Sequence, residues 1–438
     1  YELTCRDWSS DLCSSDLREW NDDSLIRRLI QPNGNRTEYV YEADLNPGAP
    51  TRARGNLREV RYDAGAHRPA GDQPMRVERF DYDPGPGGGC CGYNAVSREV
   101  DAQGNVTQFS YDTAGNLRQA VGPLPDMVEE WEYDSRGRVT AHRYPAADGL
   151  PPRVDRFTYD PLTGKVREET VDADNLALKT AFEYDARGNL TRRIDPMGRD
   201  TIYEYDALDR LVRRSSPEFR DGTGVRYLQE YGYDAAGNLI REEVHHLTAD
   251  GEVADNERFT TRYKYDAQNR LTRQEQEVDP DTFVATEYEY DPAGNRVLTR
   301  FGEATRGAQP ANTLAATYDE RNRLFTETRG AGDPSQSTTR YDYDGNGNIV
   351  AVHRGVEGAP AITRYTYDGF DRPVRVVDPM GNERRTDYDA NHNPIRVTQY
   401  GELLDQPGAT GNVRLRELQH AYDSANRLVR RTELLFDP

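Results

Sequence analysis

The chain has 438 residues, of which 76 are acidic and 56 are basic, and its formal net charge is −20. Because the two signs are interleaved along the chain, a surface for binding nucleic acid is not expected. No run of about 18 apolar residues occurs, so a membrane-spanning helix is not expected either. Leu, Ile, Val and Phe make up only about 18% of the residues, which is typical of disorder. The 28 tyrosines and the ordered turn pattern nevertheless favour a folded chain.

Residues 1–20 are predicted to be unstructured and foreign to the protein. Residues 7–17, DWSSDLCSSDL, read like a translated sequencing adapter and carry none of the repeat pattern found downstream. The chain starts at Tyr1 without a Met and stops at Pro438 inside what reads as another repeat. We therefore expect a fragment of a longer protein.

Residues 21–100 carry a degenerate form of a repeat. The segment QPNG at 31–34 has the composition of a turn, and Tyr39 and Tyr41 are spaced to lie on one face of a strand. A Gly- and Pro-rich stretch at 84–92 predicts an irregular loop.

From residue 101 to residue 438 the repeat is continuous, and its clearest copy is DPMGRDTIYEYDALDRLVRR at 195–214. In each copy a Tyr-Asp pair ends a strand, and Asp is favoured at the first position of a turn. The residue three positions after this Asp is nearly always Gly, Asn or Asp, which tolerate a left-handed backbone. We therefore predict that each unit is a two-stranded hairpin with positive φ at that position.

Fourteen such Tyr-Asp units lie between Tyr82 and Tyr422. Two units depart from the rule, because Pro86 follows Asp83 and the glycine after Asp160 comes one residue late, at Gly164. The predicted positive-φ positions are Gly115, Gly137, Gly188, Gly237, Gly294, Gly347, Asp209, Asn269, Asn322, Asp371, Asn426 and His392. The residues expected to define the repeat are Tyr111, Asp112, Gly115, Tyr184, Asp185, Gly188, Tyr205, Asp206, Asp209, Tyr233, Asp234, Gly237, Tyr290, Asp291 and Gly294.

Fourteen hairpins predict twenty-eight strands, which at about 4.8 Å spacing would form a ribbon roughly 130 Å long. Open twisted sheets of more than about ten strands usually curl. We therefore predict an all-β fold in which the array of antiparallel hairpins curls into a hollow spiral or barrel-like shell, with each turn of the ribbon supporting the next.

Several motifs could carry chemistry, but each has a simpler explanation. Asp342, Asp344 and Asn346 match the start of a calcium-binding loop, although His353 stands where the bidentate Glu belongs. They are kept as a weak metal candidate, and the turn repeat explains them more simply. The glycines at 87, 89 and 92 match the G-x-G-x-x-G pattern of a dinucleotide-binding loop, but the strand and helix that flank such a loop are not predicted here.

The cysteines and histidines also favour no site. Cys90 and Cys91 have no companion at metal-ligand spacing, so free thiols are expected and a vicinal disulfide is left open. His245 and His246 would point to opposite faces of a strand. We predict no catalytic residue, no cofactor and no enzymatic activity for this chain.

The unit Y-x-Y-D-x-x-G-N/R-L, as in YEYDALDRL from Tyr203 and FEYDARGNL from Phe182, resembles the YD repeat of the Rhs family. The resemblance runs from about residue 21 to the end. That family includes bacterial Rhs polymorphic toxins, the C subunits of insecticidal Tc toxins, wall-associated proteins and the animal teneurins. The resemblance implies a β-strand cocoon around a C-terminal toxin polypeptide, which this fragment lacks.

The resemblance thus implies a structural shell segment of a secreted or contact-dependent bacterial toxin. Its expected partners are its own C-terminal toxin segment, secretion-system proteins and cell-surface glycans. The alternative is a cell-surface adhesion module that binds glycans or proteins. Either function places the protein outside the cell or on its surface.

Overall fold

The computed structural model describes residues 17–65, 75–83, 94–146, 149–217, 226–247, 253–279, 282–402 and 411–436. The adapter-like residues 7–16, the glycines at 87, 89 and 92, Cys90 and Cys91 lie outside these ranges. No helix among the described residues is long and apolar enough to span a membrane.

The structure is almost entirely β-strand. The first sixteen strands are β1 Leu17–Trp20, β2 Ile26–Ile30, β3 Arg36–Tyr41, β4 Leu57–Asp63, β5 Met75–Asp83, β6 Ala95–Val100, β7 Val106–Tyr111, β8 Leu117–Val121, β9 Val128–Tyr133, β10 Val139–Arg143, β11 Val154–Tyr159, β12 Val166–Val171, β13 Leu178–Tyr184, β14 Leu190–Ile194, β15 Asp200–Tyr205 and β16 Leu211–Pro217. A single helical turn, α1 Glu42–Leu45, follows β3.

The second sixteen strands are β17 Arg226–Tyr233, β18 Leu239–Leu247, β19 Val253–Tyr265, β20 Leu271–Asp279, β21 Thr282–Tyr290, β22 Arg296–Arg300, β23 Thr313–Tyr318, β24 Leu324–Arg329, β25 Ser337–Tyr343, β26 Ile349–Arg354, β27 Ala361–Tyr367, β28 Pro373–Val377, β29 Glu383–Tyr388, β30 Pro394–Gly401, β31 Val413–Tyr422 and β32 Leu428–Leu435. A second helical turn, α2 Gly302–Thr305, follows β22.

Together the strands form one 32-stranded sheet. The predicted all-β array of antiparallel hairpins is therefore confirmed. Four more strands are present than the fourteen units predict, because the chain before Tyr82 also forms β1 to β4. The prediction that residues 1–20 are unstructured is wrong for Leu17–Trp20, which form β1 by pairing with β2. Its QPNG turn forms as expected, with the N–H of Gly34 donating to the carbonyl of Gln31 at 2.8 Å.

A register shift beside the Tyr of the Tyr-Asp pair recurs along the array. In the hairpin of β15 and β16, Glu204 lies opposite Arg213 but Tyr205 lies opposite Leu211, so Val212 is an extra residue. The same shift occurs beside Tyr184 and Tyr290. A bulge of this kind bends its strand and increases the local twist. The repeat sequence did not reveal it.

The chain forms two compact units. One comprises residues 1–138, 144–152 and 340–438, and the other comprises residues 139–143 and 153–339. The first unit joins segments that are far apart in sequence, because its early turns pack against turns about 300 residues later. Several of its most buried residues, including Asn35, Ala64, Arg76, Asp368 and Ala390, lie at this contact.

All twelve predicted positive-φ positions have a left-handed backbone, including Gly188 at +87° and Asp209 at +61°. The late glycine of the irregular unit, Gly164, also has positive φ, at +71°. In the intact turn of β13 and β14, the N–H of Gly188 donates to the carbonyl of Asp185 at 3.0 Å. The turn chemistry of the repeat is thus confirmed.

Replacing Gly188 by Val should destabilise the protein more than replacing Ala186 by Val in the same turn. A Cβ at Gly188 would make only ordinary contacts, with the Lys165 side chain at 3.5 Å, so the penalty comes from the left-handed backbone. We expect a cost on the order of 1 to 3 kcal/mol for Gly188→Val. Thermal unfolding of both variants checks this, and equal melting temperatures would contradict the turn assignment.

Candidate functional site

The recurring functional element is the turn that follows each Tyr-Asp pair. At Asp206 the carboxylate oxygen Oδ1 accepts the N–H groups of Leu208 at 2.9 Å and Arg210 at 3.0 Å. Oδ2 accepts the Arg210 Nε–H at 2.8 Å. In the turn at Asp185, Asn189 takes the place of the arginine and donates from Nδ2 at 3.0 Å. One aspartate therefore closes each turn, as in an Asx turn.

These hydrogen bonds lower the pKa of several turn aspartates, among them Asp134 and Asp206. The side-chain hydrogen bond from Arg138 is the main reason that the pKa of Asp134 is lowered to about 2. At Asp206 the pKa is lowered mainly by the backbone N–H of Arg210. Hydrogen bonds to a carboxylate favour its charged form, so the closed turn depends on ionised aspartate.

The residue after the left-handed position links each turn to the next, and two kinds of turn do this differently. Where it is asparagine and the following turn has Asp or Asn at its left-handed position, the asparagine amide can donate to that residue. These donor and acceptor pairs are Asn189 to Asp209, Asn238 to Asn269, Asn295 to Asn322, Asn348 to Asp371 and Asn393 to Asn426. A non-glycine residue at the left-handed position therefore supplies a side-chain acceptor that glycine could not.

Where the residue is arginine, it reaches the next unit in another way. Arg210 donates to the backbone carbonyl of Asp234 at 3.0 Å, and its guanidinium lies 4.8 Å from the ring centre of Tyr233. Arg270 makes the same two contacts with Asp291 and Tyr290, at 3.0 Å and 4.8 Å. The guanidinium and the ring thus form a cation–π contact that joins consecutive units.

In most Tyr-Asp pairs the tyrosine hydroxyl is hydrogen-bonded to the hairpin before it. The Tyr233 hydroxyl donates to the carbonyl of Leu211 at 2.9 Å, and the Tyr290 hydroxyl donates to the carbonyl of Leu271 at 2.8 Å. Burial raises the pKa of Tyr233. Further pairs of this kind are Tyr111 with Val96, Tyr133 with Leu117, Tyr184 with Val166, Tyr265 with Leu239 and Tyr367 with Ile349. The tyrosine therefore fastens one hairpin to the next where the strand ladder ends.

In the first unit, turns from the start and end of the chain meet at a contact that we call the seam. The backbone N–H of Asn33 donates to Asn346 Oδ1 at 2.9 Å, and its side chain donates to Asp344 Oδ2 at 3.0 Å. Asn346 in turn donates to Asn35 Oδ1 and to Asp371 Oδ1, both at 2.8 Å. Three of these four bonds join residues that are 311 to 313 positions apart in the sequence.

The seam continues along neighbouring turns. A Cβ at Gly369 would overlap the carbonyl oxygen of Ala64 and lie 2.5 Å from its Cβ, so the two backbones touch there. The buried Arg76 donates to the carbonyl of Ala390, and its guanidinium lies 5.7 Å from the ring centre of Phe370. Within this unit the ribbon therefore returns onto its own beginning, as the length of the array predicts.

The weak metal candidates do not converge on one point. Asp342 faces His353, with 2.7 Å between Oδ2 and Nε2. Asp344 and Asn346 lie in the seam, where Asn33 donates to both. Among the described residues, the oxygens that would bind calcium instead accept N–H groups. The hydrogen bonds of these three residues are thus those of a repeat turn and of the seam.

A small cavity opens beside the seam. Its volume is about 210 Å³, and Asn33, Asn35, Asn346, Tyr365 and Asp371 are among its lining residues. Ligand pockets usually measure about 300 to 1,000 Å³, so this one is small for a sugar or cofactor.

Two family models match parts of the chain. The RHS Repeat model matches residues 184–218, and the Teneurin YD-shell model matches residues 279–399. Both matches lie in the segment where the sequence pattern is most regular.

Two curated relatives match across most of the chain. The double-stranded DNA deaminase toxin A of Burkholderia cenocepacia is 26% identical over 401 residues, which cover 80% of this chain and 25% of the relative. The toxin protein Tse5 of Pseudomonas aeruginosa is 27% identical over 360 residues, which cover 77% of this chain and 24% of the relative. The chain thus spans about a quarter of the length of these relatives.

A solved structure supports the same fold. The crystal structure of TcdB2-TccC3-TEV superposes with a TM-score of 0.51 at 15% sequence identity, covering 97% of this chain and 26% of that one. At this identity the likeness concerns the fold alone. The repeat chemistry, the family models and the fold point to the same architecture.

Replacing Arg372 by Ala should cost far more stability than replacing Arg210 by Ala. Both arginines bind the aspartate of their own turn, but the Arg372 and Asp368 side chains are only 9% and 1% exposed, against 28% and 23% for Arg210 and Asp206. Removing Arg372 leaves a buried carboxylate without its partner, which costs about 3 to 5 kcal/mol. The half-exposed pair of Arg210 and Asp206 is expected to contribute about 1 kcal/mol or less. Equal losses in chemical denaturation of the two variants would show that the seam does not bury this turn.

Acid should unfold the array between about pH 4 and pH 2. Several turn aspartates, among them Asp134, Asp206 and Asp234, have lowered folded-state pKa values, so their stabilisation is present above the unfolded pKa of about 3.9 and is lost as the pH falls through the folded value. For Asp134 that value is about 2. Far-UV circular dichroism against pH measures this transition. A transition centred well above pH 5 would implicate groups other than the turn aspartates.

Proposed function

We propose that this chain, a YD-repeat protein of the Rhs type, is the shell segment of a bacterial toxin that encloses its own C-terminal effector. The observation that carries the proposal is the seam. Because later turns of the ribbon bond to its early turns, successive layers can support one another and build a wall, although the described strands β1 and β32 do not pair with each other. Within the first unit, the seam bonds Asn33 to Asn346, Arg76 to Ala390 and Asp101 to Asn391.

The relatives support the toxin part of the proposal. Two relatives that are similar over most of this chain are named as toxins, and the chain matches only a quarter of each. The remaining length of such proteins leaves room for an effector domain outside the repeat array. The shell itself needs no catalytic residue, because holding a chain away from solvent and proteases requires only a wall.

The enclosed effector must be able to leave. The array is poor in aliphatic residues and rich in charge, with 30% of its residues charged. Such a surface offers little hydrophobic area to hold a cargo tightly. We therefore propose that the effector is confined by the wall and is released when the wall opens. Secretion of the whole protein, or its display on the cell surface, is part of the same proposal.

Protease protection of the full-length protein tests enclosure. The C-terminal segment should resist digestion in the full-length protein and be digested quickly in isolation. Gly369→Val should abolish protection, because its side chain would be driven into the backbone of Ala64 and open the seam. Gly358→Val is the matched control, since a Cβ at Gly358 meets nothing within 4 Å.

Two outcomes would contradict enclosure. One is digestion of the C-terminal segment at the rate of the isolated segment while the array stays intact. The other is full protection in Gly369→Val after circular dichroism and cross-linking across the seam show that the seam has opened. Either result would favour the adhesion function instead.

A further inference from the structure

Two glutamates and a histidine meet on adjacent strands of the second unit. Glu230 of β17 lies directly opposite Glu243 of β18, and His245 lies two residues further along β18, opposite Leu228. Side chains two apart on a strand share a face, so Glu243 and His245 point the same way. Like charges directly opposite on a sheet are destabilising, so this pair requires compensation.

Burial of Glu243 and His245 increases the need for a compensating positive charge. The side chains of Glu243 and His245 are only 5% and 7% exposed. Arginines compensate one oxygen of each glutamate. Arg213 contacts Oε1 of Glu230 at 2.7 Å, and Arg258 contacts Oε1 of Glu243 at 2.6 Å. These contacts leave Oε2 of each glutamate for another partner.

The histidine is only partly satisfied by its neighbours. Its Nε2 lies 3.2 Å from Glu230 Oε2, whereas its buried Nδ1 has no hydrogen-bond partner among the described residues. Nε2 faces the carboxylate and is therefore the nitrogen placed to bind a cation, whereas Nδ1 is not part of the cluster. One nitrogen of His245 and one oxygen of each glutamate lie within 4.8 Å of one another.

We propose that Glu230, Glu243 and His245 form a binding site for a divalent transition-metal ion of the Zn²⁺ class. Zinc binds imidazole nitrogen and carboxylate oxygen at about 2.0 to 2.2 Å, which places tetrahedral ligands roughly 3.4 Å apart. The 3.2 Å separation of His245 and Glu230 fits this spacing, and small side-chain rotations bring in Glu243. A set of one nitrogen and two oxygens suits zinc better than calcium or magnesium. Three protein ligands leave the fourth position to water.

A bound cation would join β17 to β18, because the opposed carboxylates of Glu230 and Glu243 would share it. It is independent of the proposed enclosure, because none of its residues lies in the seam. Sequence reasoning missed it, because Glu230 and Glu243 become neighbours only through the strand register.

Zinc titration of the full chain, with its cysteines alkylated, tests the proposal. Isothermal titration calorimetry should give one Zn²⁺ per chain, and Co²⁺ in its place should give a visible d–d absorption band. Glu243→Gln and His245→Asn should each weaken binding at least about tenfold, since they remove ligand atoms directly. His353→Asn is the matched control, because His353 lies outside the cluster and contacts Asp342 and Arg340 instead, and it should leave the affinity unchanged.

Two results would overturn the site. One is the absence of stoichiometric Zn²⁺ binding by the wild-type chain. The other is binding that Glu243→Gln and His245→Asn leave unchanged. Circular dichroism in a chelator establishes that each variant is folded, and if His245→Asn does not fold, Glu243→Gln decides the question alone.

Discussion

An aspartate carboxylate that accepts hydrogen bonds from its own turn is the constraint on which the array depends. Because Oδ1 of Asp206 binds two backbone N–H groups, the chain must turn within four residues and pass through a left-handed residue at Asp209. Because Oδ2 accepts a third donor, the next residue in most turns is arginine or asparagine. The repeat pattern thus follows from satisfying one buried or half-buried carboxylate at the end of each hairpin.

Contacts between consecutive hairpin repeats are mostly polar, which explains how a chain so poor in aliphatic residues can fold. Tyrosine hydroxyls donate to the carbonyls of the preceding hairpin, and turn asparagines and arginines reach the following one. Each bond contributes only about 0.5 to 1.5 kcal/mol, but the contacts recur in unit after unit. Such a design resembles other repeat proteins, in which stability accumulates from nearest-neighbour interfaces.

The seam adds what nearest-neighbour contacts cannot provide. It brings residues from the first repeats against repeats about 300 positions later, and it buries the turn pair of Asp368 and Arg372 that stays half-exposed elsewhere. At Gly369 it demands the absence of a side chain, although the backbone there is not left-handed. The same turn therefore contributes more to stability where the seam buries it than where it is half-exposed.

The local structure was predictable because its determinants lie within a few residues of each other. The left-handed positions, the hairpins and the all-β class all follow from the residues around each Tyr-Asp pair. The bulge at Val212, the bond from Asn33 to Asp344 and the meeting of Glu230 with His245 could not be predicted in this way. Every unit has nearly the same sequence, so any turn could pair with any other by pattern alone. Only the register of the strands and the return of the ribbon onto itself decide which residues become neighbours, because these depend on twist accumulated over many strands.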